Sequence, residues 1–298
     1  MDRTAEFEKH RQSLFLLAYR ILGTRSDAED VVQDAYLRWL QAADNDIRSP
    51  KNYLMTVVSR LSLDALKLAW RKREVYTGPW LPEPLIEPVG AQRLEMAESL
   101  SIAFLYVLEQ LSPTERVAFL LREVFETSYT ELAQTLETSE DNCRQMVARA
   151  RKHIRNGQPR FNVNRDQHNQ VLQEFVVACA SGNATQLLNL LREDAVMFSD
   201  GGGKVRAALN PIVGADRIIR FFIGLGNKGE LRDLRAEFAA VNHEPGVLVF
   251  TGDTLESVII LELDESARIA RIFLVANPDK LPRILPASIP LSTDGKKA

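Results

Sequence analysis

Residues 111–155 read LSPTERVAFLLREVFETSYTELAQTLETSEDNCRQMVARARKHIR. The stretch carries its own punctuation for three helices. Ser112, Pro113 and Glu115 give an N-cap serine, a proline at the first helical position and a glutamate three residues after the serine, which is a capping box. Ser128 and Glu131 repeat that signal, and Leu132, Ala133 and Leu136 follow at helical spacing. Residues 137–139 form a short turn, and either Thr138 or Ser139 can cap a third helix. Asp141 falls in its first turn, where the helix dipole favours an anion. Short helix, tight turn, longer helix is a helix-turn-helix pattern. In the third helix Met146, Val147, Ala150 and Ile154 make a narrow apolar seam. Arg144, Gln145 and Arg149 have the forked donors that read base edges, while Arg151, Lys152 and Arg155 suit phosphates. The plainer alternative is a solvated basic face on an ordinary helical pair. His153 has no metal-spaced partner and reads as a rim residue.

The 298 residues are too many for one small core, so two or three domains are expected. Composition is that of a globular protein, with 45% hydrophobic and 26% charged residues. A net charge of −3 requires any nucleic-acid surface to be local. Cys143 and Cys179 form no CxxC and no metal spacing, which fits a reducing, cytoplasmic compartment. No apolar leader follows Met1 and no window is long enough to span a bilayer, so no membrane association is expected.

From the amino end, Phe7, Leu14, Phe15, Leu17, Ala18, Ile21 and Leu22 recur at helical spacing up to Gly23. Ser26 and Glu29 form a further capping box. It opens a helix with Val31, Val32, Ala35, Tyr36, Trp39 and Leu40 as its apolar stripe and Asp27, Glu29, Asp30 and Asp34 at its start. After a polar loop, Ser49 and Pro50 restart a helix that buries Leu54, Val57, Val58, Leu61 and Leu68. Its basic end, Lys67 and Arg71 to Arg73, complements the dipole whatever else it does. Asn52, Arg60 and Trp70 could grip unstacked bases. Residues 75–90, VYTGPWLPEPLIEPVG, cannot be a regular helix because of Pro79, Pro82, Pro84 and Pro88. Unlike a plain spacer, this run carries Tyr76, Trp80, Leu81, Leu85 and Ile86, which call for an apolar surface. Helix resumes over residues 94–110.

Three helices, an irregular segment and a helix-turn-helix resemble the extracytoplasmic-function (ECF) sigma factors of bacterial RNA polymerase. The resemblance implies roles for particular residues. AEDVVQDAYLRW matches the family's polymerase clamp-binding helix, with Asp30, Gln33 and Asp34 as contacts. The loop 44–50, with Asn45, Asp46 and Arg48, matches the one that captures a flipped −10 base. Asn52, Arg60, Arg71, Lys72 and Arg73 lie on the −10 helix. Arg144, Gln145, Arg149, Arg151 and Lys152 lie on the −35 helix.

Beyond the polar run 157–165, the pattern changes from helices to a long antiparallel meander, an α+β domain. Helices are expected over 167–180, 184–191 and from Gly214. Strands are expected over 195–199, 204–209, 231–241, 246–250, 255–263 and 268–275. This domain resembles the cone fold of the NTF2 and SnoaL-like proteins. The letters GxGxxG at Gly224–Gly229 follow a helix and precede a strand, the reverse of a dinucleotide site. Three motifs point to a sigma-factor subgroup with such a fused domain: YTGPWLPEP (Tyr76, Gly78, Pro79, Trp80, Leu81, Pro82), DGGGK (Asp200, Gly201, Gly202, Gly203, Lys204) and NPDKL (Asn277, Pro278, Asp279, Lys280, Leu281). The resemblance implies that the extra domain regulates the sigma factor in cis. The proline-stiffened apolar linker has no internal partner, so Tyr76, Trp80 and Leu81 are expected to dock on a surface made by the other two motifs.

The expected organisation is therefore a domain at 1–74, a proline-rich linker at 75–93, the helix-turn-helix domain at 94–157, the cone domain at 158–281 and a tail at 282–298. The expected partners are core RNA polymerase and promoter DNA, with no cofactor, no covalent chemistry and a monomeric free chain. Two alternatives are a DNA regulator acting without polymerase, and a ligand-sensing or enzymatic cone domain. His168, His243, Asp200 and Asp216 are the acid–base candidates for the latter.

Overall fold

A computed structural model describes residues 2–43, 47, 49–73, 75–87, 100–157, 164–228 and 233–282. The described residues form two compact units, one drawn from 1–75 and 104–158, the other from 76–103 and 159–298. Two of the expected domains thus share one unit. The expected linker is not a separate tether, because from Tyr76 onward its described part belongs with the cone domain.

The first unit opens with α1 (Arg3–Leu22), α2 (Arg25–Gln41) and α3 (Pro50–Arg73). Gly23 ends α1 in the left-handed region at φ 75°, its N–H bonded to the Tyr19 carbonyl. The helix after it starts earlier than the Ser26 signal suggested. Thr24 is the extended residue that precedes it, and its hydroxyl bonds the Asp27 carboxylate. Val31, Val32, Ala35 and Trp39 are buried as expected, with the Trp39 indole donating to the Arg3 carbonyl at 2.8 Å. Leu40 is instead 43% exposed and Leu68 65% exposed. In α3 the buried apolar positions are Leu54, Val58, Leu63 and Leu66, while Val57 and Leu61 are half-buried.

The same unit contains α4 (Ile102–Leu108) from Phe104 onward, α5 (Pro113–Glu123), α6 (Tyr129–Leu136) and α7 (Glu140–Gly157). Both capping boxes of the helix-turn-helix form, at Ser112 with Glu115 and at Ser128 with Glu131. Glu137 ends α6 in the left-handed region at φ 54°. The helix expected from residue 94 begins, in the described residues, at Ile102.

The second unit comprises α8 (Arg165–Ser181), α9 (Ala184–Leu190), β1 (Leu191–Asp200), β2 (Ile212–Val213), α10 (Ala215–Asn227), β3 (Leu234–Val241), β4 (Glu244–Thr251), β5 (Thr254–Leu263) and β6 (Ile269–Val275). The sheet order is β2-β1-β6-β5-β4-β3. Among the described residues only β1 and β6 pair in parallel, with Asp200 opposite Val275. Residues 204–209 are not the expected strand. The N–H groups of Lys204 and Val205 turn back onto the Gly201 carbonyl, and the pairing passes to Ile212 and Val213. Asn242 and His243, both at positive φ, close the tight β3–β4 hairpin. Leu172, Phe175, Ile218 and Phe222 of the helices pack on Met197, Val247, Leu261 and Ile272 of the sheet. Each such side chain contributes about 1.5–3 kcal/mol on burial.

Two acidic side chains are exceptions in this apolar setting. Glu262 on β5 stands opposite Arg271 on β6, 3.2 Å apart. Burial pushes the Glu262 carboxyl up to about 7 despite the pull of Arg271. Burial, and then the charge of Glu262, pushes Glu244 up to about 8. A carboxyl raised above its unfolded value binds protons more tightly when folded. Its contribution is fully present below the unfolded value and is lost as pH rises through the folded one. Urea unfolding should therefore show stability falling between about pH 5 and about pH 8, with a shallower fall in Glu244→Gln. An unchanged slope in that variant would remove Glu244 as the cause.

Candidate nucleic-acid and docking interfaces

The α7 helix presents the surface its sequence implied. Ser139 caps it, its hydroxyl accepting the Asn142 N–H at 3.2 Å. Cys143, Met146, Val147, Ala150 and Ile154 are buried against the unit, which leaves Arg144, Gln145, Arg149, Arg151 and Lys152 exposed. The Arg144 guanidinium lies 4.3 Å from the Tyr129 ring centroid and pairs with Glu140 at 3.1 Å. Arg149 reaches Glu115 at 2.8 Å, and Arg151 grips both oxygens of Glu123 at 3.0 and 2.7 Å. Exposed pairs of this kind are worth about 0–1 kcal/mol. They hold the arginine heads in place without sealing them from a phosphate or a base edge.

On α2, Asp30, Gln33 and Asp34 are exposed. Their spacing puts them on one helix face together with Leu37, which is 50% exposed. Leu40 is exposed nearby. Sequence reasoning singled out the acidic residues and counted Leu40 as core. The signal for Leu37, an apolar residue outside the buried stripe, was present but is not specific.

The expected −10 residues divide into three groups. Asn45, Asp46 and Arg48, and the side chain of Lys72, lie outside the described residues. Arg71 is exposed at the end of α3. Asn52, Arg60 and Arg73 have partners within the unit. The Asn52 amide donates to Glu131 at 2.6 Å. Arg60 donates to the carbonyls of Gln134 and Thr135 at 2.7 and 3.1 Å and lies 3.3 Å from Glu137. Arg73 pairs with Glu109 and caps the Leu22 carbonyl at 2.7 Å.

In the second unit the three motifs converge on one carboxylate. Asp200 is fully buried at the end of β1. Its Oδ1 accepts the Tyr76 hydroxyl at 2.6 Å and the Gly202 N–H at 3.0 Å. Its Oδ2 accepts the Leu81 N–H at 2.8 Å and the Lys280 ammonium at 2.7 Å. Lys280 also donates to the Leu81 carbonyl at 2.6 Å and lies over the Trp80 ring, 3.9 Å from its centroid. The Asn277 amide donates to the Tyr76 oxygen at 2.8 Å. Burial, reinforced by Asp200, holds the Tyr76 phenol well above its usual range. The parallel pairing of β1 and β6 explains the convergence, since it brings DGGGK and the turn after β6 to the same end of the sheet. The glycines are required by space: a Cβ on Gly201 would meet the Val205 carbonyl at 2.6 Å, and one on Gly202 would meet the Asn277 amide at 2.4 Å. Gly203 is close to Thr77, and Lys204 pairs with Asp279 at the exposed rim. Gly78, Pro79 and Trp80 are half-buried, Leu81, Pro82 and Leu281 buried, and Pro278 exposed.

A second anchor was missed in the sequence. Asn242, in the β3–β4 turn, is buried. Its side chain accepts the Leu85 N–H at 2.9 Å and donates to the Leu100 carbonyl at 2.8 Å, while its backbone N–H bonds the Leu85 carbonyl. Ile86 bridges to Val241, and His243 Nδ1 lies 2.8 Å from Glu87. An asparagine in a hairpin turn looks like a turn former only, so nothing local marked it as a clamp.

The acid–base candidates have separate surroundings. Asp200 and His243 hold the linker. Asp216 sits in the first turn of α10, beside an open cavity of about 530 Å³ also lined by Leu188, Leu191, Arg217, Arg220 and Arg268. His168, near the start of α8, is half-buried, and burial lowers its pKa. Between helices and sheet, where a cone fold can hold a ligand, Phe175, Phe222, Met197 and Ile272 fill the space. Among the described residues no helix is long and apolar enough to cross a membrane.

Comparison with known proteins shows the family. Residues 7–72 match the sigma-70 region 2 family and residues 101–154 match sigma-70, region 4. The chain is 37% identical to the ECF RNA polymerase sigma factor SigJ of Mycobacterium tuberculosis, over 93% of this chain and 92% of that protein. It is 32% identical to the probable ECF RNA polymerase sigma factor SigI of the same species, over 93% and 94% of the two chains. The crystal structure of M. tuberculosis SigJ superposes with a TM-score of 0.75, covering 93% of this chain and 97% of that one at 35% identity. With sigma-70 regions 2 and 4 and this similarity to SigJ and SigI over nearly the whole chain, the chain belongs to the ECF RNA polymerase sigma factors, which are transcription initiation factors and not enzymes.

Proposed function

We propose that this sigma factor binds core polymerase through the α2 face bearing Asp30, Gln33, Asp34, Leu37 and Leu40. The −10 element is read by α3, and the −35 element by Arg144, Gln145 and Arg149 of α7, with Arg151 and Lys152 on flanking phosphates. The exposed basic face of α7 over a fully buried seam carries this reading. Initiation then needs no cofactor, and the chain acts as a monomer in the cytoplasm. The SnoaL-like domain regulates the factor in cis by gripping residues 76–87. The observation that supports this is Asp200, whose two oxygens are committed to Tyr76, Leu81 and Lys280.

Run-off transcription with core polymerase tests the DNA assignment. Arg144→Ala should lose about 1–3 kcal/mol of discrimination at one −35 base pair. Arg151→Ala should weaken all promoters alike and make the salt dependence shallower by about one ion. Unchanged base preference in Arg144→Ala and Gln145→Ala would remove α7 as the reader.

The docking assignment predicts that Asp200→Asn, which leaves the Lys280 ammonium buried without its counter-ion, costs about 3–5 kcal/mol in urea unfolding. Adding Lys280→Met should recover much of that loss. The single variant should also expose residues 76–87 to protease and change run-off activity. Native stability and protease resistance in Asp200→Asn would show that this carboxylate does not hold the linker.

A further inference from the structure

Within the first unit, the face of α3 assigned above to the −10 element is already in use. Asn52 and Arg60 donate to Glu131 and to the carbonyls of Gln134 and Thr135 on α6, and the hydroxyls of Thr56 and Thr135 face each other at 3.4 Å. These acceptors are carboxylate and carbonyl oxygens, the same chemistry that a DNA strand offers through its phosphates and base edges. Each of these N–H groups must give up its bond to α6 before it can bond a strand, and α6 itself lies where the strand would pass.

The surface contacts do not hold this arrangement by themselves, because Asn52, Arg60 and Glu137 are exposed and their bonds exchange readily with water. A buried cluster lies at the other end of the same interface. Glu109, just beyond α4, takes Arg116 of α5 on one oxygen at 2.5 Å and Arg73 of α3 on the other. Each arginine also caps α1, Arg116 on the Ile21 carbonyl at 2.8 Å and Arg73 on the Leu22 carbonyl at 2.7 Å. These belong to the last carbonyls of α1, which lack partners in their own helix. Arg116 is 0% exposed and Glu109 is 9% exposed. Remove the one carboxylate and two guanidiniums face each other in a dry site. We propose that Glu109 is a latch that clasps the two promoter-reading domains together, with α6 occupying the place of the −10 strand on α3. The inference rests on the assignment of α3 to the −10 element.

The closed state can be trapped in the full chain. Thr56→Cys with Thr135→Cys places two thiols where the hydroxyls now meet. The probe is a labelled single strand from a promoter on which the native chain directs run-off transcription. Mild oxidation should form the cross-link and reduce strand binding and run-off product at least tenfold, and a reductant should restore both. Glu109→Gln, with helix content intact, should bind the strand more tightly than the native chain, by about 5–150-fold. Failure of the cross-link to form, equal activity of the oxidised and reduced forms, or unchanged strand binding in Glu109→Gln would each overturn the latch. If the native chain and the reduced variant transcribe but neither shows −10 strand preference, the α3 assignment fails and takes the latch with it.

Discussion

A single buried carboxylate organises the second unit. Asp200 has no contact with solvent, and its oxygens accept from a phenol, an ammonium and two backbone N–H groups. An isolated carboxylate in that position would be prohibitively expensive, so the partners are obligatory once the sheet has formed. Two of them come from residues 76–81. The proline-rich run is thereby part of the cone domain's own polar bookkeeping, and its apolar residues follow. Leu81 is buried, and the Trp80 ring covers the Lys280 ammonium. Asn242 repeats the device at the other end of the run, with an amide in place of a carboxylate.

Much of this was legible locally, and the exceptions share a cause. The capping boxes at Ser112 and Ser128, the stop at Gly23 and the seam Met146, Val147, Ala150 and Ile154 depend only on neighbours a turn away, and they form as read. The meeting of DGGGK with NPDKL depends on the parallel pairing of β1 with β6 across a long sequence separation. No periodicity contains that pairing, and the likeness to a family with the same motifs supplied the expectation. Nothing local marked Glu109 or Arg116, because the groups that bring them together, Arg73 and the carboxyl end of α1, are remote in sequence. Leu37 and Leu40 were ambiguous for another reason. A helical period places an apolar residue on a face and does not say whether that face meets the core or a partner.

Ionic partners also explain how a chain with net charge −3 presents the basic face of α7. Arg149 and Arg151 are matched by Glu115 and Glu123 of α5, and Arg144 by Glu140 of its own helix. These pairs are exposed, so they lower the long-range field of α7 while leaving each guanidinium exchangeable. A surface balanced in this way binds DNA weakly alone and gains most from being held beside it by a larger complex. That is the situation of a sigma factor, whose second reader and polymerase contacts supply the remaining affinity.

The two buried ionic clusters differ in a way that bears on which one gives way. Around Asp200 both oxygens are occupied by well-formed bonds, and Lys280 is shared between a carboxylate, a carbonyl and an aromatic face. Around Glu109 the account does not close. Arg116 leaves its Nε and one Nη buried without a hydrogen-bond partner while its other Nη serves two acceptors. A buried donor with no partner costs about 1–3 kcal/mol. Opposing charges hold that clasp shut, but unsatisfied donors lower the barrier to releasing it. A fully satisfied cluster suits a permanent dock, as at Asp200. A partly satisfied one suits a contact that opens, which is the role proposed for Glu109.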